Sequence, residues 1–422
     1  MIPLRNLPAP DAMKLLLPRR IAFTFVVAAV ALWAATNKRL YDIAVFNALV
    51  SMGLAAIIVL HLRLKPSWRD AAGVAGGAGT LALIDFKLLH YNFSAFALLS
   101  FLGLASLVAL AIRAAWSGGE ESTRMRLAFM FAFVSLSVDA AAVSFHALTS
   151  KLNPKVLDLY LYSFDASLRV QLSFLVGQAY GTWHRFGDAG MFIYIGLPMV
   201  LAMVVAGHLL HGSKAAIPAM AAFLVAAPIG VIFYNLFPAL GPTYIFGPRF
   251  PWNALTTGEA ARLLLEPIPV AGYRNAMPSL HIAWVLLAWW FSRGLSVWER
   301  SIAMVFVVFT VLATLGSGEH YFIDLVVGFP FALFVYSLCA FPLGWTQERK
   351  VAFGLGLGLT LAWFAVLRWG VKLFWVSPIL PWLACSLTVA VVVILQQRLV
   401  RASATNASRA APREPAVAVR VS

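Results

Sequence analysis

Two short segments carry residue types able to do nucleophilic and acid–base chemistry. The first reads R-N-A-M-P-S-L-H over 274–281 and the second G-S-G-E-H-Y-F-I-D over 316–324. His281 opens one apolar stretch, and His320 precedes another 39 positions later. At 1.5 Å per helical residue, that separation accommodates one helix across a bilayer and one back, so both imidazoles return to the same membrane face. His320 and Asp324 are four apart and share a face on a helix. A carboxylate beside an imidazole fixes its tautomer and makes the second ring nitrogen more basic, as a nucleophilic or general-base histidine requires. Two alternatives use the same residues. Two histidines and an aspartate can form a facial metal triad, and a single histidine at a membrane interface can be no more than a polar anchor.

The elements that must position these groups are membrane helices. Of 422 residues, 61% are hydrophobic and 12% charged, with a mean hydropathy of +0.84. Soluble domains run near 45–50% apolar and 25% charged, so a soluble multidomain enzyme and a disordered chain are both excluded. The formal net charge is +15, but the cations lie in short clusters between apolar runs. That pattern belongs to membrane topology and not to nucleic-acid binding. Apolar stretches fall near 20–36, 43–62, 72–90, 92–115, 127–149, 188–211, 215–238, 279–296, 299–318, 321–342, 351–369 and 373–397. The expectation is an all-α polytopic bundle of about 12 spans. Lys and Arg in the connections favour both termini in the cytoplasm and the two histidines on the extracytoplasmic face of a plasma or inner membrane. The basic start of the chain, leading into 21–33, is expected to be a retained first span and not a cleaved signal. Cys339 and Cys385 lie inside apolar runs and are expected to be small core residues.

The paired motifs resemble the type 2 phosphatidic acid phosphatase superfamily, and look most like its inositol phosphorylceramide synthase (inositolphosphotransferase) branch and bacterial relatives. The matching text is P-S-L-H at 278–281 and H-Y-F-I-D at 320–324, with Gly328 after it; Y-N-L-F-P-A-L-G-P-T-Y at 234–244 resembles the turn preceding them. The resemblance implies a six-span catalytic core over 127–342, flanked by an N-terminal extension (1–126), a C-terminal pair of spans (343–400) and a disordered basic tail (401–422). It also implies roles. His320 attacks phosphorus and becomes phosphohistidine, Asp324 orients it, and His281 protonates the leaving oxygen and then activates the acceptor. Ser279 holds non-bridging oxygens, and Tyr244, Asn275 and Tyr321 are the expected substrate contacts. The superfamily pattern has an Arg six positions before the nucleophile, where this chain has Thr314, and a Lys ahead of an Arg-Pro pair, whose nearest analogue is Arg249-Phe-Pro. Arg249 and Arg274 stand in for those phosphate-binding cations, although either reads equally as a snorkelling arginine. The implied partners are a phospholipid or sphingolipid-type donor and a lipid alcohol acceptor, with no cofactor and no metal. The branch resemblance favours transfer to that alcohol, whereas the superfamily at large favours hydrolysis, which would make the protein a lipid phosphate phosphatase with water as acceptor at the same site.

Other features carry bland and functional readings side by side. The segment 155–180, with Leu157, Leu161, Leu168, Leu172 and Phe174, reads as an interfacial or re-entrant helix, with Asp165 and Arg169 as an i,i+4 pair. A short interfacial helix is expected over 257–266. Asp85, Lys87 and His90, like Asp139 and His146, are intramembrane polar groups that suit either a packed ion pair or a headgroup site. His208 and His211 read as solvated. A transporter or flippase competes with the enzyme reading, as does a lipid-linked glycosyltransferase using Asp42 as its carboxylate. The chain shows neither the internal symmetry of the first nor a second acidic partner for the other.

Overall fold

The computed structural model describes residues 20–30, 32–33, 37, 48–89 and 94–410. The N-terminal part comprises α1 (Arg20–Val30), α2 (Ala48–Arg63), α3 (Trp68–Ile84), α4 (Ala95–Trp116) and α5 (Gly119–Leu152). There follow α6 (Asp158–Ser167), α7 (Leu172–Thr182), α8 (His184–Ile195), α9 (Leu197–His211) and α10 (Ser213–Leu236). Two short helices, α11 (Pro242–Phe246) and α12 (Thr257–Ala261), lie in the long connection before α13 (Leu280–Phe291). The chain ends with α14 (Val297–Gly316), α15 (Phe322–Leu338), α16 (Gln347–Gly370) and α17 (Ile379–Ala410). Among the described residues the β structure is one antiparallel pair, Lys155–Val156 against Ile268–Pro269. The fold is an all-α polytopic bundle.

Seven of these helices are long and apolar enough to cross a membrane, and the pair α8 and α9, bent by 47°, makes up to eight. That composition supports an integral membrane protein. Among the described residues each of the twelve apolar stretches contains helix, but at α1, α2, α13 and α15 the described helix is shorter than a full span. Two of them start where the apolar text starts and stop short of its end, α13 at Phe291 ahead of Gly294 (φ +92°) and α15 at Leu338 ahead of Pro342. Ser279 caps α13 by accepting from Ile282 N at 3.4 Å, and the Asp324 carboxylate accepts from Tyr321 N at 2.8 Å at the start of α15.

The boundaries also differ from the sequence reading. Helix α5 runs unbroken across 126/127, and α2 packs directly on α9 as well as on α4 and α5. Helix α17 continues to Ala410, because the alanine-rich stretch after 400 favours helix. Asp42, His90 and 411–422 lie outside the described residues. The segment 155–180 is not interfacial: nearly all of α6 is buried, including Leu161 and Phe164 at 0% exposure. Asp165 and Arg169 do not pair; Arg169 lies over Trp375 at 5.2 Å. His208 is not solvated either, since its Nε2 sits 2.8 Å from Phe291 O at the end of α13. The helix expected over 257–266 is one turn, capped by reciprocal bonds between Thr256 and Glu259.

Glycines let the helices that carry the two motifs approach closely. A Cβ on Gly328 of α15 would lie 3.1 Å from both Ile282 Cβ and Ser279 O of the α13 segment. Where lipid offers no hydrophobic drive for association, such close backbone packing holds helices together. Gly328→Leu is therefore expected to destabilise the fold by about 1–3 kcal/mol through overpacking. Gly354→Leu on α16, where a Cβ meets nothing within 4 Å, is expected to be neutral. Thermal unfolding in detergent compares the two.

Candidate active site

Helix α13 begins at the P-S-L-H turn, with Ser279 as its cap and His281 as its second residue. Helix α14 returns the chain to the loop 317–321, which carries His320. Three backbone ties fix that loop. His320 N donates to Thr314 O at 3.2 Å, Ser173 Oγ donates to His320 O at 3.0 Å, and Thr243 N donates to Gly318 O at 3.0 Å. Ser279 N donates to Asp324 O at 3.2 Å and so joins the two motifs directly. At Gly241, φ is +127° and a Cβ would lie 2.5 Å from Glu319 O. Only glycine fits where the 238–244 turn presses on the histidine loop.

His320 is buried at 3% exposure. Its Nδ1 lies 3.5 Å from Asp324 Oδ2, and its Nε2 lies 3.3 Å from Ser279 Oγ. With Nδ1 protonated toward the carboxylate, the Nε2 lone pair faces Ser279 and the amino end of α13, where first-turn amides lack helical acceptors. Burial pushes the His320 pKa down to about 4, against smaller upward pulls from Glu319 and the Ala276 carbonyl. The imidazole is therefore neutral near pH 7, the form able to attack. The His281 ring stands 6.1 Å from that of His320, centroid to centroid. Tyr194 stacks on it at 4.2 Å and places its hydroxyl 3.2 Å from Nδ1, which leaves Nε2 for chemistry.

Two buried aspartates hold this arrangement from α6. Asp165 Oδ2 accepts from Phe322 N at 2.7 Å and its Oδ1 from Ile323 N at 3.2 Å, at the start of α15. Asp158 Oδ1 accepts from Gly241 N at 2.8 Å, and both its oxygens accept from Leu240 N at 3.1 Å. Burial drives both carboxyls upward, Asp158 to about 7 and Asp165 well above the usual carboxylate range, and the amide bonds offset only part of that cost.

The expected cations are placed unevenly. Arg274 is buried and spends its guanidinium on the carbonyls of Asn153, Pro154, Val270 and Gly272. It acts as a backbone clamp, with four of its five N–H donors spent on carbonyls. Arg249 is exposed, its guanidinium 6.0 Å from the Phe246 ring centroid, next to Phe250, whose ring packs on Gly318. Thr314 is buried and bonds within its own helix, to Thr310 O at 2.8 Å and Val311 O at 3.0 Å. Tyr244 donates at 3.5 Å to Glu319, which burial raises in pKa. Tyr321 is buried with its hydroxyl toward Asp158, and the half-buried Asn275 donates its backbone N to Tyr273 O at 3.1 Å.

Tyr194 and the anchoring roles of Asp158 and Asp165 escaped the sequence reading. The seven-residue spacing of the two aspartates, two helical turns apart, is a signal that could have found them. Nothing in sequence links Tyr194 to His281.

Above about pH 7 histidines are neutral whether the chain is folded or not, and the raised carboxyls carry the pH dependence of stability. A carboxyl whose pKa is higher in the folded protein stabilises it below its unfolded pKa, and that contribution is lost as pH rises through the folded value. Unfolding temperature is expected to fall from pH 7 to pH 8, and to fall less steeply in Asp158→Asn. A pH series of thermal melts checks this. Asp165→Ala, which strands two buried amides, is expected to cost about 3 kcal/mol, and Asp165→Asn much less.

No curated protein and no solved structure matches the chain. Residues 159–338 match the family model described as the PAP2 superfamily, and all four of Ser279, His281, His320 and Asp324 fall within the match. The match supports that superfamily for this segment of the chain.

Proposed function

We propose that this protein is an integral membrane lipid phosphotransferase that works through a phosphohistidine on His320. The observation that carries the reading is the His320 geometry: one ring nitrogen toward Asp324, the other open toward Ser279, with His281 about 6 Å away across the gap. The match to the PAP2 superfamily supports a phosphatase or phosphotransferase kind of chemistry.

In the first half-reaction His320 Nε2 attacks the phosphorus of a lipid phosphoester and a P–N bond forms. The P–O bond to the lipid alcohol breaks, and His281 gives that oxygen its proton. In the second half-reaction an acceptor hydroxyl gives its proton to His281 and attacks phosphorus, which frees His320. Asp324 orients the nucleophile and stabilises the imidazolium character it gains. In this reading Ser279 Oγ and the His281 amide at the start of α13 hold non-bridging oxygens, since a helix amino terminus favours anions, while the Ile282 amide is already taken by Ser279. Most of the barrier reduction in such a reaction comes from positioning and charge stabilisation. Arg249 is the phosphate-side cation in this reading, reaching in from its exposed loop.

Water and a lipid alcohol compete as acceptor, and the alcohol is favoured because His281 borders an apolar crevice. The resemblance to the inositolphosphotransferase branch points the same way. The extracytoplasmic placement of the site, with cytoplasmic termini, rests on the charge bias of the connections.

Phosphorus NMR of the purified protein with phosphatidic acid or phosphatidylinositol, with and without a long-chain alcohol, tests both halves. With the alcohol present, a new phosphodiester is expected from phosphatidylinositol and a new alkyl phosphate monoester from phosphatidic acid; inositol phosphate from the first or free phosphate from the second, with no alcohol product, would make the enzyme a hydrolase. His320→Ala is expected to abolish either product, and His281→Ala to slow turnover by about 10²–10⁴-fold. If His320→Ala turns over like the unaltered protein, the phosphohistidine reading is wrong. The rate should be flat from pH 7 down to about 5 as far as His320 is concerned, and fall as its imidazole protonates near pH 4.

A further inference from the structure

An apolar crevice ends at His281, and much of its wall comes from outside the matched segment. Gly53 and Ile57 of α2 and Asp139 of α5 face Ala227 of α10, with Tyr194 and His281 also in the lining. The crevice encloses about 90 Å³, and about 810 Å³ when measured out to its open mouth. Asp139 is its one carboxylate, and among the described residues no group hydrogen-bonds it. The α2 backbone comes against it because residue 53 has no side chain: a Cβ there would lie 2.5 Å from Asp139 Oδ2. A carboxyl in an apolar wall is costly unless a donor reaches it, and intramembrane ionisable residues mark binding and transfer paths more often than they serve packing.

We propose that this crevice binds the lipid alcohol exchanged at His281, taking the first carbons of its chain, and that Asp139 accepts a hydrogen bond from its hydroxyl while the alcohol is held; the same hydrogen turns to His281 Nε2 when the hydroxyl attacks. The inference rests on the reading in which His281 handles the leaving and entering hydroxyls, and adds where that alcohol sits and which residue selects it. The narrow enclosed part suits the head of a single chain, and the open mouth lets the rest of the chain run outward. The helices of the N-terminal extension then form half of a substrate site.

The test uses the full-length protein in lipid nanodiscs, photolysed with a hexadecanol carrying a diazirine on its chain, with adducts mapped by mass spectrometry. Adducts are expected on α2 and α5 near Ile57 and Asp139, displaced by unlabelled hexadecanol and not by hexadecane. They are expected equally in His320→Ala, because occupancy does not need the nucleophile. Asp139→Leu is expected to raise the hexadecanol concentration needed for displacement about tenfold. Ala227→Phe, which fills the crevice without removing a polar group, is expected to cut labelling and guards against misfolding of the first variant. Adducts scattered over lipid-facing residues, equal displacement by hexadecane, or labelling indifferent to both variants would overturn the proposal. Crevice labelling as expected, together with full turnover by His320→Ala, would overturn the phosphohistidine reading and leave the binding site standing.

Discussion

Asp158 and Asp165 lie two turns apart on α6, and each takes backbone amides from a different loop: Asp158 from the 238–244 turn, Asp165 from the start of α15. Their bonds run from side chain to main chain, so they fix backbone positions and do not depend on the identity of the loop side chains. The 238–244 turn then presses Gly241 against the carbonyl of Glu319, and Asp324 ties α15 to the amino end of α13. Remove α6 and neither histidine has a defined position relative to the other. Burying two carboxyls is expensive, and multiple amide donors at each make the arrangement tolerable. The clustering of three aspartates around Tyr321 is the physical centre of the fold near the site.

That clustering shapes the chemistry as well. His320 is held neutral mainly by burial, since the nearby Glu319 would favour its charged form. Neutrality is what an attacking imidazole needs, but it leaves the site without a fixed positive charge of its own. The side chain that could have supplied one from the loop preceding α13, Arg274, is committed to four backbone carbonyls. In the proposed reaction a phosphate entering this space would meet the Ser279 hydroxyl and the His281 amide, with Arg249, among the described residues, a cation on the adjoining loop that is not committed to such bonds. Amides positioned before the substrate arrives need no reorganisation during the reaction, and in a dry setting they count for more than they would in water.

The motif residues were legible in sequence because their chemistry is tied to local spacing. His320 and Asp324 meet although His320 lies in a loop ahead of α15, because the loop is wound tightly enough to keep the four-residue geometry. The helices were legible from apolar runs, and among the described residues each of the twelve contains helix. Their lengths were not legible, since α13 stops at Phe291 ahead of the turn at Gly294, and α15 at Leu338 ahead of Pro342, inside apolar text. Contacts between distant segments were the least accessible. The Asp165 carboxylate reads as one half of an i,i+4 pair with Arg169, yet it points to amides 157 and 158 positions away. Arg274 reads as a surface or phosphate cation for the same reason: sequence does not reveal which carbonyls a fold leaves bare.

The boundary of the catalytic unit follows from geometry more than from family resemblance. The matched segment begins at 159, inside α6, and so leaves out Asp158, which anchors the 238–244 turn. It also leaves out α2 and α5, which wall the crevice at His281. Helix α5 packs on α10, α10 packs on α13, and α2 packs on α9, so the extension shares a continuous core with the helices that carry the motifs. A six-helix unit cut at the edge of the match would expose the open side of the crevice and lose one of the two carboxylates that fix the loops. Both histidine motifs lie in the matched segment, but the crevice wall beside His281 is built jointly with the helices before it.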